Sequence, residues 1–146
     1  MKIEIDVDEK YTDTGVKITT PVLSPEIERL VSVMRMMDMQ IVVKKDDETF
    51  LLDADKILYI EAVERNTFVC TAEDTFESSL KLYEFEQQLP ERDFIRISKQ
   101  SILNLRKISS LKTEINRKIR VTLLNGEQII VSRTYSDELR KKLGIK

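Results

Sequence analysis

Residues 2–7, Lys-Ile-Glu-Ile-Asp-Val, alternate polar and apolar side chains, the period of a strand with Ile3, Ile5 and Val7 on one face. A second short extended piece is expected at Val16–Thr20. The period then changes. Ser24, Pro25 and Glu26 supply an N-cap, an N1 proline and a first-turn acid, and Ile27, Leu30, Val31 and Met34 follow at i, i+3, i+4 and i+7. This spacing predicts an amphipathic helix to about Met37. The methionines at 34, 36, 37 and 39 are expected in the core beneath it, with self-association through this segment as the second reading.

From Met39 the chain reads as short extended runs at 39–45, 49–54, 56–62, 67–72 and 75–79, separated by charged turns such as Glu64-Arg65-Asn66. That is a β-meander. Leu82, Phe85 and Leu89 form the stripe of a short helix, opened by Ser78 or Ser79 and stopped by Pro90. Beyond it, Phe94–Ile97 is a strand, Ile102–Leu105 is apolar again, and Ile119, Val121 and Leu123 alternate with more polar neighbours. Asn125-Gly126 is a hairpin signal, because a type I′ turn needs positive φ at both central positions, and Glu127–Ser132 is the returning strand. A last helix opens at Thr134-Tyr135-Ser136-Asp137, with Tyr135, Leu139 and Leu143 on one side and Gly144 at C′. Asp137 and Glu138 fall in its first turn and Arg140, Lys141 and Lys142 in its last, as the helix dipole favours. The expected fold is mainly β (α+β): an antiparallel β domain at 39–146 with short helices, preceded by a strand-helix extension at 1–38 for packing or self-association.

Composition narrows the chemistry. The chain has 146 residues and no histidine, which removes the common nucleophile triads, the usual zinc sites and the default general base near neutral pH. Three glycines are too few for a GxGxxG or P-loop phosphate cradle. The one cysteine, Cys70, lies in an apolar run and reads as a buried thiol. No spacing singles out a carboxylate pair. We therefore expect no enzyme, no metal, no cofactor and no small-molecule substrate. The longest uncharged stretch, Ile18–Pro25, falls far short of the roughly 20 residues of a membrane span, and the opening residues lack a secretory apolar run. A cytoplasmic protein is expected.

Charge is segregated. Met1–Glu91 carries 10 Lys and Arg against 21 Asp and Glu, whereas Arg92–Lys146 carries 14 against 5, within a net charge of −2. An acidic body with a basic binding face fits this asymmetry, as do two solvated faces of differing sign.

Phe94-Ile95-Arg96-Ile97-Ser98-Lys99-Gln100-Ser101-Ile102-Leu103-Asn104 resembles the F-x-R…(I/V)-(V/L)-N core of the LytTR DNA-binding domain. Ile57-Leu58-Tyr59-Ile60-Glu61-Ala62 is similar to that family's opening strand, and Leu124-Asn125-Gly126 with Val131-Ser132-Arg133-Thr134-Tyr135 is similar to its terminal hairpin and V-S-R-x-Y. The three pieces follow in the family's order. The resemblance implies an elongated β scaffold whose loops enter the major groove of double-stranded DNA. It implies a transcriptional regulator acting as a homodimer, and stand-alone members are often governed by a partner protein, sometimes a membrane one. Carried over by position, the contact residues are Arg65, Asn66 and Thr67, then Ser98, Lys99 and Gln100, then Arg133. Many members carry histidine or aromatic residues in the first two loops, and this chain does not.

The side chains suit that task. Arg, Lys, Asn, Gln and Ser read base edges in the major groove, so Lys99, Gln100 and Arg133 are candidate readers. Arg96, Arg106, Lys107, Lys112, Arg117, Lys118 and Arg120 are candidates for phosphate contact, with Arg96 equally able to pair with an acid of the N-terminal half. Asn104 is expected to satisfy a buried backbone turn and Tyr135 to join the core. The competing function is a protein-interaction module using the acidic N-terminal half.

Overall fold

Between residues 40 and 131 the short apolar runs form ten strands, which the computed structural model, describing residues 1–145, arranges as two antiparallel sheets. β1 (Gln40–Lys45), β2 (Glu48–Asp53), β3 (Ile57–Val63), β4 (Asn66–Thr71), β5 (Thr75–Ser78), β6 (Phe94–Ser98) and β7 (Ser101–Asn104) make the larger, in the order β2-β1-β5-β4-β3-β7-β6. β8 (Ile108–Thr113), β9 (Ile119–Leu123) and β10 (Gln128–Val131) make the smaller, with β9 central. Helices α1 (Pro25–Met37), α2 (Leu82–Gln88) and α3 (Arg133–Leu143) flank them.

The large sheet is apolar on both faces because each face has its own core. Phe94 and Ile102 join Met36 of α1 and Phe85 of α2, whereas their neighbours Ile95 and Leu103 join Val121, Val131 and Leu139 between the small sheet and α3. Side chains alternate across a strand, so doubly covered strands must be apolar at consecutive positions. A bulge sets this division in β3: Ile57 opposes Thr71 and Tyr59 opposes Cys70, leaving Leu58 as the extra residue. Leu58 and Tyr59 consequently both pack in the second core.

Asn104 closes β7 as the residue type suggests. It is buried, donates Nδ2–H to the carbonyl of Ile57 at 2.8 Å and accepts the Arg106 N–H on Oδ1 at 3.1 Å. Asn104→Ala leaves both backbone groups without partners and should cost about 2 kcal/mol, read as a lower urea midpoint with an unchanged m-value.

Several expected elements differ. Residues 1–24 contain no strand, and Ile3, Ile5 and Val7 are each at least 80% exposed. Alternation alone does not make a strand, which needs a neighbouring edge to take its hydrogen bonds. β8 was not legible because Ser109 is the extra residue of a bulge, Ile108 opposing Leu123 and Ser110 opposing Thr122, which breaks the period of two. α2 is opened by Lys81 and not by a serine: Glu84 reaches back to accept the Lys81 N–H at 3.0 Å and also takes an ion pair from Arg29 of α1. α3 starts earlier than Thr134, with Ser132 at the N-cap, so Asp137 and Glu138 lie beyond its first turn. Gly144 ends it as expected, at φ 70°, with the Ile145 N–H donated to the Arg140 carbonyl at 2.9 Å.

α1 carries the most informative difference. Its cap is as read, Ser24 Oγ accepting the Ile27 N–H at 3.3 Å. The face turned to the sheet, however, is Ser32, Val33 and Met36, with Arg29 beside it. The anticipated stripe of Ile27, Leu30, Val31 and Met34 belongs to neither core and is half-buried. Of the four methionines only Met36 is buried.

Candidate nucleic-acid interface

The strand pairing gathers the candidate residues at one end of the molecule. β3 and β4 are joined by the two-residue turn Glu64-Arg65, and β6 and β7 by Lys99-Gln100. β3 pairs with both β4 and β7; Glu61 opposes Ser101, and Ala62 donates its N–H to the Gln100 carbonyl at 2.7 Å. The two turns are therefore side by side. At the end of β6, the Ile97 carbonyl accepts the Ser132 N–H at 3.1 Å, which sets Arg133, the first residue of α3, next to Ser98 and Lys99. In the small sheet Ile119 opposes both Val131 and Thr113, so the β8–β9 turn at 114–118 leaves at the Arg133 end. Across the strand order, these turns and the start of α3 form a row.

Within the row, Arg65, Asn66, Lys99, Gln100, Arg117, Lys118 and Arg133 are exposed, and Ser98 is half-buried with its Oγ accepting the Gln100 N–H at 3.2 Å. Two candidates are placed otherwise. Thr67 is 4% exposed, on the same face of β4 as Val69 of the first core and flanked across the strands by Ala62 and Ser78, so its side chain is closed off from a base. Arg96 pairs with Glu86 at 2.8 Å and donates from Nη1 to the Lys99 carbonyl at 2.9 Å. The guanidinium is thus spent on holding the Lys99-Gln100 turn against α2. Arg106 and Lys107 lie elsewhere, in the short 3₁₀ turn after β7 at the far end of that strand, where the Lys107 carbonyl accepts the Leu124 N–H beside the Asn125-Gly126 hairpin. They do not join the row.

Ion pairing separates the cations into two groups. Arg29, Lys45, Arg96, Arg106 and Arg120 each meet a carboxylate. Among the described residues Arg65, Lys99, Arg117, Lys118 and Arg133 enter no ion pair. Unpaired exposed cations gathered at one end make a field that attracts polyanions. Arg120 braces the row: its Nε lies 2.6 Å from Glu114, holding that carboxyl below the usual carboxylate range, and Glu114 donates its N–H to the Lys118 carbonyl at 2.7 Å. Ile115, at the tip of this turn, is fully exposed between the braced Glu114 and the two free cations. It had no sequence signal, since 114–118 shows neither period. Elsewhere, burial pushes the Cys70 thiol pKa up, as for a packed structural thiol.

The LytTr DNA-binding domain family model matches residues 47–144. The chain belongs to the LytTr DNA-binding domain family. The match spans every turn of the row. A solved LytTr DNA-binding domain from Bacillus cereus is similar at a TM-score of 0.70 and 30% identity, over 73% of this chain and 98% of that one. A Staphylococcus aureus MSSA476 protein named as an HTH-type transcriptional regulator is 28% identical over 147 residues, 99% of each chain, and a relative of the same name type from strain NCTC 8325 is 27% identical over the same share. In the LytTr-type fold of the present chain strands separate all three α-helices, so no two are joined by a short turn. Among the described residues no helix is long and apolar enough to cross a membrane.

Proposed function

We propose that this LytTr-family protein is a cytoplasmic, sequence-specific transcriptional regulator that binds double-stranded DNA, with the row of turns facing the major groove and two copies acting on paired half-sites. The observation that carries this reading is the row itself: five exposed cations without carboxylate partners among the described residues, interleaved with Asn66, Ser98 and Gln100, at one end of a two-core scaffold. All five cations of the row supply charge that neutralises phosphates, and amide, hydroxyl and guanidinium groups, that of Arg133 included, can also reach base edges. Arg96 serves by positioning the Lys99-Gln100 turn. The names of the staphylococcal relatives agree with a regulatory role. Nothing found by comparison supports the acidic half as a docking module.

In vitro selection from a random duplex pool tests this reading. The full chain should enrich one common motif, and that duplex should compete better than either of its separated strands. Enrichment of single strands, or of no motif at all, would refute sequence-specific duplex recognition.

A further inference from the structure

We infer that the outer face of α1 is a homodimer surface, on which two copies pair their helices antiparallel; this rests on the dimeric reading above. At about 100° per residue, Ser32, Val33 and Met36 face the sheet, and Ile27, Leu30, Val31 and Met34 fall on the opposite side. Those four side chains pack into neither core, and Met37, at the end of the same side, is 73% exposed. A helix apolar on two opposite faces normally buries both. One is covered by the sheet; the four side chains of the other join neither core and are half-buried, with only Met37 fully open to solvent.

Charge identifies the occupant as a second copy. Glu28 and Arg35 lie seven residues apart on the same flank of the outer stripe, both exposed and without an ion pair among the described residues. In an antiparallel helix pair each flank meets its own counterpart. A twofold axis near Val31 then sets Glu28 against Arg35 of the second copy and Arg35 against its Glu28, closing two ion pairs. A parallel pair makes neither. The helix is 13 residues long, so the seam extends only about 20 Å. A seam of this length falls at the small end of interfaces, below the roughly 1,200 Å² typical of stable complexes, so the free protein dimerises weakly and two half-sites on one duplex strengthen the pairing through effective concentration.

The test uses the full chain and the duplex it selects. Sedimentation equilibrium gives the self-association constant, and complex mass on the selected duplex gives the bound stoichiometry. Val31→Glu and Met34→Glu, each at a half-buried position outside both cores, should abolish self-association while circular dichroism stays as in the wild type. Glu28→Arg or Arg35→Glu alone should weaken it about fivefold, and the double reversal should restore it to within about twofold. Val31→Cys should yield a disulfide-linked dimer on mild oxidation, since the native Cys70 is buried. A dimer insensitive to all of these substitutions would overturn the α1 surface and leave the dimeric reading intact. A chain that is monomeric up to about 1 mM and binds the duplex one copy at a time would overturn both.

Discussion

Raising monovalent salt from about 50 to about 200 mM should lower the affinity of one protomer for a single half-site by about 500-fold. The figure follows from the ion pairing. Five cations of the row have no carboxylate partner among the described residues, and each phosphate neutralised releases condensed counterion with a slope of about −0.9 in the logarithmic salt plot, so five give about −4.5. The paired cations decide the alternative. Were Arg96, Arg106 and Arg120 also to contact phosphate, the slope would approach −7 and the same change of salt would cost more than about 10⁴-fold. Arg96 is committed to Glu86 and the Lys99 carbonyl, Arg106 sits at the far end of the sheet near Asp93, and Arg120 is committed to Glu114. Fluorescence anisotropy across a salt series measures the slope. Lys118→Ala should flatten it by about one unit, and Arg106→Ala should leave it unchanged. A wild-type slope shallower than about −2 would rule out the row as the phosphate-binding surface.

What the sequence disclosed follows the range of the physics involved. Strands with local alternation, such as β9 and its hairpin partner β10, were legible to within a residue or so. So were caps set by a single residue, Ser24 and Gly144. The turn between β9 and β10 is not type I′, however: Gly126 has positive φ and Asn125 does not, in a four-residue loop. Features decided by distant partners were not. Residues 2–7 have the alternation of a strand yet pair with no sheet edge, β8 hides its period behind the Ser109 bulge, and α1 presents the less apolar of its two faces to the sheet. The candidate site divides in the same way. The motif placed Lys99 and Gln100 on a loop and Arg133 just before a helix; all three are exposed, Arg133 as the first residue of α3. The burial of Thr67 depends on which side of β4 faces inward, and the capture of Arg96 depends on Glu86 from a helix ten residues earlier. The adjacency of Arg133 and Lys99, 34 positions apart in the chain, comes from one hydrogen bond, Ser132 to Ile97, that no local pattern announces.

Arg133→Ala should weaken binding to the selected duplex by about 1 to 3 kcal/mol, roughly 5- to 150-fold, and a repeated selection with the variant should lose preference at one base pair. The position is built for aim. Arg133 is the first residue of α3; its backbone is fixed by the Ser132–Ile97 hydrogen bond on one side and by Ser136 Oγ donating to the Arg133 carbonyl at 3.0 Å on the other, and its side chain is exposed. A guanidinium held at a defined point can fork onto the two acceptors of a guanine, which a flexible point charge cannot do. Arg133→Lys separates the two roles. It keeps the charge, so the salt slope should stay near the wild-type value, yet it removes the planar fork, so discrimination between selected and scrambled duplexes should fall nearly as far as in Arg133→Ala. Lys118, on a turn whose preceding residue Arg117 sits at φ 67°, is the control: Lys118→Ala should weaken both duplexes by the same factor. If Arg133→Lys retains full discrimination, Arg133 is a phosphate contact like Lys118, and the reading of bases must rest on Asn66, Ser98 and Gln100 of the two neighbouring turns.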